Sequence, residues 1–381
     1  MIPGLWSDVM GMQLFGYISF RTAMAGLTAF ALALVMGRPA IAWLRRHRVG
    51  EDVTKTDSIE LAELAQRMGK KDTPTMGGSF MVTALLVSVA LWCRLDSLHV
   101  VLAMVLTAGL AAVGFVDDFK KLTIPHSKGL STRSKLLGQT AITAFVIAAL
   151  IWYAQASDRF SLLTVYPPFF KDVEISFSGS LLGLSLFAAF AWLVIVGTSN
   201  AANITDGLDG LAAGCMIISG LALTIFCYVT GLADWTEYLG LPYVASASEM
   251  AREGGALCGA CMGFLWYNTF PAQVFMGDSG SLSIGGLLAW MALVAKQELV
   301  LPLLGFVFFV EALSSALQRI YFKRSGGKRL FTMAPIHHGL QLKGGIFRAG
   351  AAPWPETTIV VRAWIVAAAC AMASLALLKV R

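Results

Sequence analysis

Charged side chains are scarce in this chain. Only 14% of its 381 residues are Asp, Glu, Lys or Arg, against about 25% in an ordinary soluble domain. With 57% hydrophobic residues, that scarcity excludes a self-standing water-soluble fold. Internal repeats, low-complexity tracts and a separate polar domain are also lacking, which excludes solenoids and disordered tails. Histidine occurs five times. The six cysteines (Cys93, Cys215, Cys227, Cys258, Cys261, Cys370) all lie in apolar segments. Cys258 and Cys261 have C-x-x-C spacing but no second ligand pair nearby, so they read as packing residues, not as a zinc or redox site. The N-terminus has no basic region and no small-residue cleavage site before the first apolar run, and no cleaved signal peptide is expected.

What is present is apolar sequence in runs of roughly 17–25 residues, the length a helix needs to cross about 30 Å of hydrocarbon. About ten such spans can be read, at 17–44, 77–93, 98–116, 134–155, 180–198, 208–230, 254–268, 280–296, 299–322 and 359–379. The expected fold class is therefore an all-α polytopic integral membrane protein, a single domain over 1–381. The outer segment 159–179 contains YPPFF and then the alternating VEISFS, which predicts a short outer β-hairpin. Segment 323–358 is rich in Gly and Pro and should be irregular, with one short helix.

The formal net charge of +6 could suggest nucleic acid, but its distribution excludes that. Lys and Arg concentrate in three loops, seven in 45–76, five in 117–135 and six in 322–358, while 155–179 and 231–253 carry few. Basic loops stay cytoplasmic. With ten spans, both termini then lie on the outer side of the membrane. Every polar cluster falls on the cytoplasmic loops. A transporter would place polar groups near the midplane, whereas a one-sided cluster fits an enzyme working at the inner leaflet.

Several constellations on that side can carry chemistry. GFVDDFKK (114–121) sets Asp117 and Asp118 at the end of an apolar run. Helical neighbours point about 100° apart, so one could face a cation and the other a substrate; the plainer alternative is a solvated helix end with snorkelling lysines. In SNAANITDGLDG, Asn200, Asn203, Asp206 and Asp209 recur every third residue and would share one face if the segment were helical. Four such groups between apolar spans are costly unless partnered, although an Asx-rich turn with its own caps is the alternative. Asn268 and Asp278 flank FPAQVFMG, and Asp278 suits either a helix N-cap or a metal carboxylate. His337 and His338 are either ordinary loop residues or groups that hold phosphate and move protons near pH 7. Lys70 and Thr75, in GKKDTPTMGG, suit either a phosphate loop or a basic anchor and turn. Glu311 lies inside a span, where carboxylates face a bundle interior, and is expected to play a helper role.

These pieces share a chemistry. The carboxylates suit Mg²⁺, which prefers oxygen ligands and bridges phosphates. Lysines including Lys70, Lys121, Lys128 and Lys135 can neutralise further phosphate charge, and phosphoryl transfer depends mainly on positioning and neutralisation. A site open to both cytosol and inner leaflet could join a water-soluble nucleotide substrate to a lipid phosphate.

The strings DTPTMGG (72–78), GFVDDFKK (114–121), KGLSTRSK (128–135), SNAANITDGLDGLAAG (199–214), NTFPAQVFMGDSGSL (268–282) and MAPIHH (333–338) run through most of the chain. In them the chain resembles the polyprenyl-phosphate N-acetylhexosamine-1-phosphate transferases, and within them the branch that handles phospho-MurNAc-pentapeptide. The resemblance implies transfer of phospho-MurNAc-pentapeptide from UDP-MurNAc-pentapeptide to undecaprenyl phosphate, with Mg²⁺ required and UMP and lipid I as products. It implies that Asp278 binds Mg²⁺, that Asp117 serves as general base or nucleophile with Asp118 beside it, and that His337 and His338 reach the active site. Asn200, Asn203, Asp206, Asp209 and Asn268 then surround nucleotide and phosphates, and Lys70, Thr75, Lys121, Lys128 and Lys135 line the site. It also implies a homodimer. Direct attack by the lipid phosphate, assisted by Asp117, is preferred over an aspartyl-phosphate route. A sibling transferase using UDP-GlcNAc is the nearest alternative. The family usually reads H-H-H-F-E in the last loop, but here Gly339-Leu340-Gln341 follow the two histidines, so any role for the third histidine and the acid is in doubt.

Overall fold

A computed structural model describes residues 13–47, 70, 73–124, 127, 129–170 and 173–379. The principal helices, in chain order, are α1 (Ile18–Arg46), α2 (Gly78–Trp92), α3 (Leu98–Thr123), α4 (Thr132–Ala156), α5 (Leu181–Thr205), α6 (Leu211–Thr230), α7 (Ala233–Leu239), α8 (Ala247–Asn268), α9 (Asp278–Val294), α10 (Leu301–Leu304), α11 (Phe306–Arg324), α12 (Ile336–Lys343) and α13 (Glu356–Ala376). Each of the ten expected spans falls on helix. The span read at 299–322 is divided by Gly305 into α10 and α11. Helices α1, α3, α4, α5, α6 and α13 are long and apolar enough to cross a membrane, and α2 and α9 are shorter apolar helices. The chain is an all-α polytopic membrane protein.

Local signals set several starts. Ser131 and Ser180 cap α4 and α5, accepting the backbone N–H of Ser134 at 3.1 Å and of Gly183 at 3.0 Å; each satisfies a donor that the first helical turn leaves unpaired. The expected hairpin is present as two short antiparallel strands, β1 (Thr164–Val165) and β2 (Ile175–Ser176), with Thr164 opposite Ser176. The single short helix expected in 323–358 is α12.

Helix α9 is the central post of the bundle. Every residue from Ser279 to Val294 is buried, so its shortness relative to a membrane span is no obstacle: it is solvated by protein rather than lipid. It packs mainly against α3 and α5, while α8 packs against α1 and α6. Buried charges also occur away from the expected polar end, where α2 runs out into Arg94. Arg21 donates to the Trp92 carbonyl, Arg252 pairs with Glu249, and the Arg94 N–H donates to Glu249 at 3.0 Å. Lys296 donates to the Leu162 carbonyl at 2.6 Å, fastening the hairpin region to the bundle. The sequence places Arg252 and Glu249 in an outer loop segment, whereas here they are buried on α8 and paired; Arg21 and Lys296, at span ends, are held by backbone carbonyls.

Candidate active site

Helix α3 extends to Thr123, seven residues beyond the span read for it, so Asp117 and Asp118 lie within a helix and both are buried. That rules out a solvated helix end. Gly114 precedes them by three and four positions and shares their face. A Cβ on Gly114 would stand 2.3 Å from the Asp278 carbonyl group. The glycine therefore lets α3 touch the first turn of α9 just where the two carboxylates project.

Asp118 accepts the backbone N–H groups of Asp278 and Ser279, each at 3.2 Å. It thus caps α9 from a different helix, placing negative charge at the positive end of the helix dipole. The cap position itself is Gly277, and Asp278 is the first helical residue. The N-cap alternative for Asp278 is thereby excluded, and its carboxylate turns to side chains. Oδ1 accepts from Asn203 at 2.6 Å, and Oδ2 lies 2.5 Å from Lys135 Nζ and 3.4 Å from Lys121 Nζ. Asp117 accepts the Leu130 N–H at 2.6 Å and pairs with Lys121 at 2.9 Å.

One carboxylate oxygen from each of Asp117, Asp118 and Asp278 lies within 4.8 Å of the other two. The divergence expected of helical neighbours is not realised, because the gap between α3 and α9 receives both side chains. Three carboxylates facing the ammonium groups of Lys121 and Lys135 leave one negative charge in excess among the described residues. An all-oxygen donor set with surplus negative charge suits a hard divalent cation, and these three residues could hold one.

The loop before α2 is fastened to the loop before α9. The Phe275 N–H donates to the Pro74 carbonyl at 2.8 Å, Gly77 to Phe275 at 2.9 Å and Gly78 to Met276 at 2.8 Å. Thr75 is buried beneath this pairing. Lys70 stands apart from the three aspartates. Its Nζ lies 2.7 Å from Asp209 and 2.7 Å from Glu356, and about 6 Å from the rings of Phe270 and Phe275. Lys70 is therefore paired with two carboxylates in this structure. Lys128 lies outside the described residues.

Of the four groups expected to share a helical face, only Asn200 and Asn203 lie on one helix. Helix α5 ends at Thr205, with Asp206 at its C-cap, and the groups separate. Asn203 turns to Asp278 and to Ser281 at 2.9 Å. Asn200 instead pairs with Gln139 of α4 at 2.9 Å. Asp209 reaches Lys70 and accepts the Ala272 N–H at 3.0 Å. Asn268 is buried and bridges two loops, accepting from the Gly210 N–H and donating to the Val274 carbonyl, both at 2.9 Å. The Asx-rich turn, offered as the plainer alternative, is thus part of what is found: the turn exists, and its carboxylates reach beyond it.

His337 is buried at the start of α12. Its Nδ1 lies 3.1 Å from Glu311 Oε2, outside hydrogen-bonding geometry, and its backbone N–H reaches the same oxygen at 3.4 Å. A Cβ on Gly207 would stand 2.3 Å from His337 Nε2, so the glycine brings the 206–210 turn against the imidazole. Glu311 is thereby placed behind His337. The His338 and His337 rings are 4.2 Å apart, and His338 Nδ1 lies 3.4 Å from Gln341 Oε1. Burial, and next the neighbouring His337, push the His338 imidazole down to about 3, so it is neutral at neutral pH. The departure at Gly339 has a physical counterpart. A Cβ there would meet Thr332 Oγ1 at 2.8 Å and the Met333 carbonyl at 3.2 Å, so a side chain at this position would require the loop to shift. Gln341, at the family's acid position, turns back to His338.

Glu356, Gln139, Ser281 and Gln341 were not anticipated. Only Glu356 left a trace in the sequence, as an acid directly after Trp354-Pro355 at the start of the last span, a normal first-turn position. Its partners are 147 and 286 residues away, which no local pattern reveals.

A model of the family described as glycosyl transferase family 4 matches residues 100–296, the stretch that contains all three clustered aspartates. The chain is 40% identical over 377 residues to the phospho-N-acetylmuramoyl-pentapeptide-transferase of Thermodesulfovibrio yellowstonii, covering 98% of this chain and 97% of that protein. It is 40% identical over 377 residues to the same-named protein of Maridesulfovibrio salexigens, covering 99% and 98%. It is 41% identical over 381 residues to that of Nitratidesulfovibrio vulgaris, covering 99% and 98%.

Proposed function

The chain belongs to glycosyl transferase family 4 and, within it, to the phospho-N-acetylmuramoyl-pentapeptide-transferases, and from that membership we propose how its aspartate cluster works. The protein is a membrane enzyme of peptidoglycan synthesis that transfers phospho-N-acetylmuramoyl-pentapeptide from a nucleotide-linked donor to a lipid acceptor. The donor is UDP-MurNAc-pentapeptide and the acceptor undecaprenyl phosphate. The reaction takes place at the cytoplasmic face of the inner membrane, with both chain termini on the opposite side.

An oxygen of the lipid phosphate attacks the sugar-linked phosphorus of the donor. The new P–O bond forms as the bond to the UMP oxygen breaks, and UMP leaves with the electron pair. Asp117 orients the attacking phosphate and takes its remaining proton where one is present. The Leu130 N–H and Lys121 hold its two oxygens in one orientation. Asp278 is the principal carboxylate for Mg²⁺, with Asp117 and Asp118 beside it. Bound Mg²⁺ supplies charge neutralisation for the diphosphate. Lys121 and Lys135, now paired with carboxylates, are in reach to take up phosphate charge. Asn203 holds Asp278, and Asn268 braces the two loops that Asp209 and Phe275 come from. Thr75, Asp206, His337, His338 and Glu311 line the remainder of the site. Asn200 acts at a distance, through Gln139. Two copies of the chain form a homodimer, as the family resemblance implies.

The observation that carries this reading is the convergence of Asp117, Asp118 and Asp278, from two helices 160 residues apart in sequence, with their oxygens within 4.8 Å. The deciding experiment supplies purified protein with Mg²⁺, a polyprenyl phosphate, and either UDP-MurNAc-pentapeptide or UDP-GlcNAc. UMP release is expected with the first donor only. Release with UDP-GlcNAc alone would reassign the donor, and release with neither would end the transferase reading.

A further inference from the structure

Lys70, the 206–210 turn and the start of α13 meet at one carboxylate. Glu356 is 2% exposed. Its Oε1 accepts from Lys70 Nζ and from the Asp209 backbone N–H, both at 2.7 Å, and its Oε2 accepts from Lys70 at 2.9 Å. Asp209 closes the ring, accepting from Lys70 through Oδ1 and from the Ala272 N–H through Oδ2. One side chain at the start of α13 thus holds two other segments far away in sequence, each through a hydrogen bond involving a charged group. Such bonds are worth more than neutral ones.

Glu356 is itself held rigidly. Trp354, two residues before it, donates its N–H to the Leu340 carbonyl of α12 at 3.1 Å, and Arg362 lies 4.3 Å from the Trp354 ring. The same short segment therefore fixes both α12, which carries His337 and His338, and the Lys70 corner. Two buried carboxylates around one ammonium also make this corner net negative. It is not built to attract the donor's diphosphate. It is built to hold Lys70 and the turn in one orientation between the Phe270 and Phe275 rings.

We propose that Glu356 is a positioning residue for the nucleotide side of the site, setting Lys70 and the 206–210 turn in the arrangement that receives the nucleotide half of the donor. The proposal rests on the transferase reading above. Glu356 does not touch the three clustered aspartates, so its loss should weaken donor binding without slowing the chemical step.

The test compares wild type, E356Q and E356D by steady-state UMP release and by direct binding of UMP to the detergent-solubilised protein. For E356Q the KM for the nucleotide donor and the Kd for UMP are expected to rise roughly tenfold, the scale of one lost charged hydrogen bond. kcat and the KM for the polyprenyl phosphate should stay within about threefold, since uniform donor binding is what is removed. E356D keeps the charge but is one methylene short, and should fall between the two. If E356Q does not fold, E356D is read by the same split. An unchanged donor KM and UMP affinity in a folded variant, or a fall confined to kcat, overturns the proposal while leaving the transferase reading intact. A wild-type protein that releases no UMP from any donor overturns both.

Discussion

Asp118 on α3 caps the N-terminus of α9, accepting the backbone N–H groups of Asp278 and Ser279 at 3.2 Å each. A carboxylate counted as chemistry thus also holds the frame that carries Asp278. D118A should therefore cost stability as well as activity, by about 1–2 kcal/mol, the usual scale of a lost cap. Thermal unfolding in detergent measures it. A variant that loses turnover with an unchanged melting temperature would remove the capping role.

D278A should lower kcat by at least about a hundredfold, the scale of deleting one preorganised charged group. Asn203, Lys135 and Lys121 all lose their shared acceptor. Chelation of divalent ions should abolish UMP release by the wild type, and added Mg²⁺ should restore it. Mg²⁺-dependent turnover persisting in D278A would show that the carboxylate cluster has been assigned to the wrong chemistry.

G207A should displace His337. The added methyl carbon would lie 2.3 Å from Nε2, and either the turn or the imidazole must move. Because His337 is buried, the overlap should destabilise the fold as overpacking does, by about 1–3 kcal/mol, and lower the melting temperature, while turnover falls by roughly tenfold to a hundredfold, as expected for misplaced groups near a reacting centre. Wild-type kcat and KM in G207A would place His337 outside the working site.

His338 makes stability depend on pH with a definite sign. Its folded-state value is pushed down to about 3 by burial and then by His337, whereas the unfolded side chain titrates near 6.5. Between those values the unfolded state binds the extra proton. Stability from this group is complete above about pH 6.5 and is lost as pH falls through that window. Melting temperatures at pH 7.5 and 5.5 should therefore differ less for H338Q than for wild type. Equal drops in the two proteins would mean that the imidazole is not held neutral by the fold.

Much of this was legible from residues alone. Apolar runs of bilayer length announced the helices, because hydrocarbon forces the backbone to satisfy its own hydrogen bonds. The GFVDDFKK, DGLDG and GDSG strings marked the carboxylates, since polar groups at the ends of such runs are costly without a purpose. Other features could not be read. The burial of Asp117 and Asp118 depended on how far α3 continues past its apolar stretch. The end of α5 at Thr205 let Asp209 leave the helix for Lys70, while Asn203 and Asn200, both still on α5, meet Asp278 and Gln139 from different neighbouring helices.

The sequence by itself determined that this is a helical membrane protein, which aspartate, lysine and histidine strings are the candidates for its chemistry, and which family it resembles. These follow from local pattern, because hydropathy and motif spacing act over a few helical turns. Only the tertiary structure decided which carboxylates share a site, which residue caps α9, that Gly207 sits against His337, and that Glu356 holds Lys70. Those contacts join segments more than a hundred residues apart, or depend on close approach at Gly114 to the α9 backbone and at Gly207 to the His337 ring, and packing in three dimensions is what sets them.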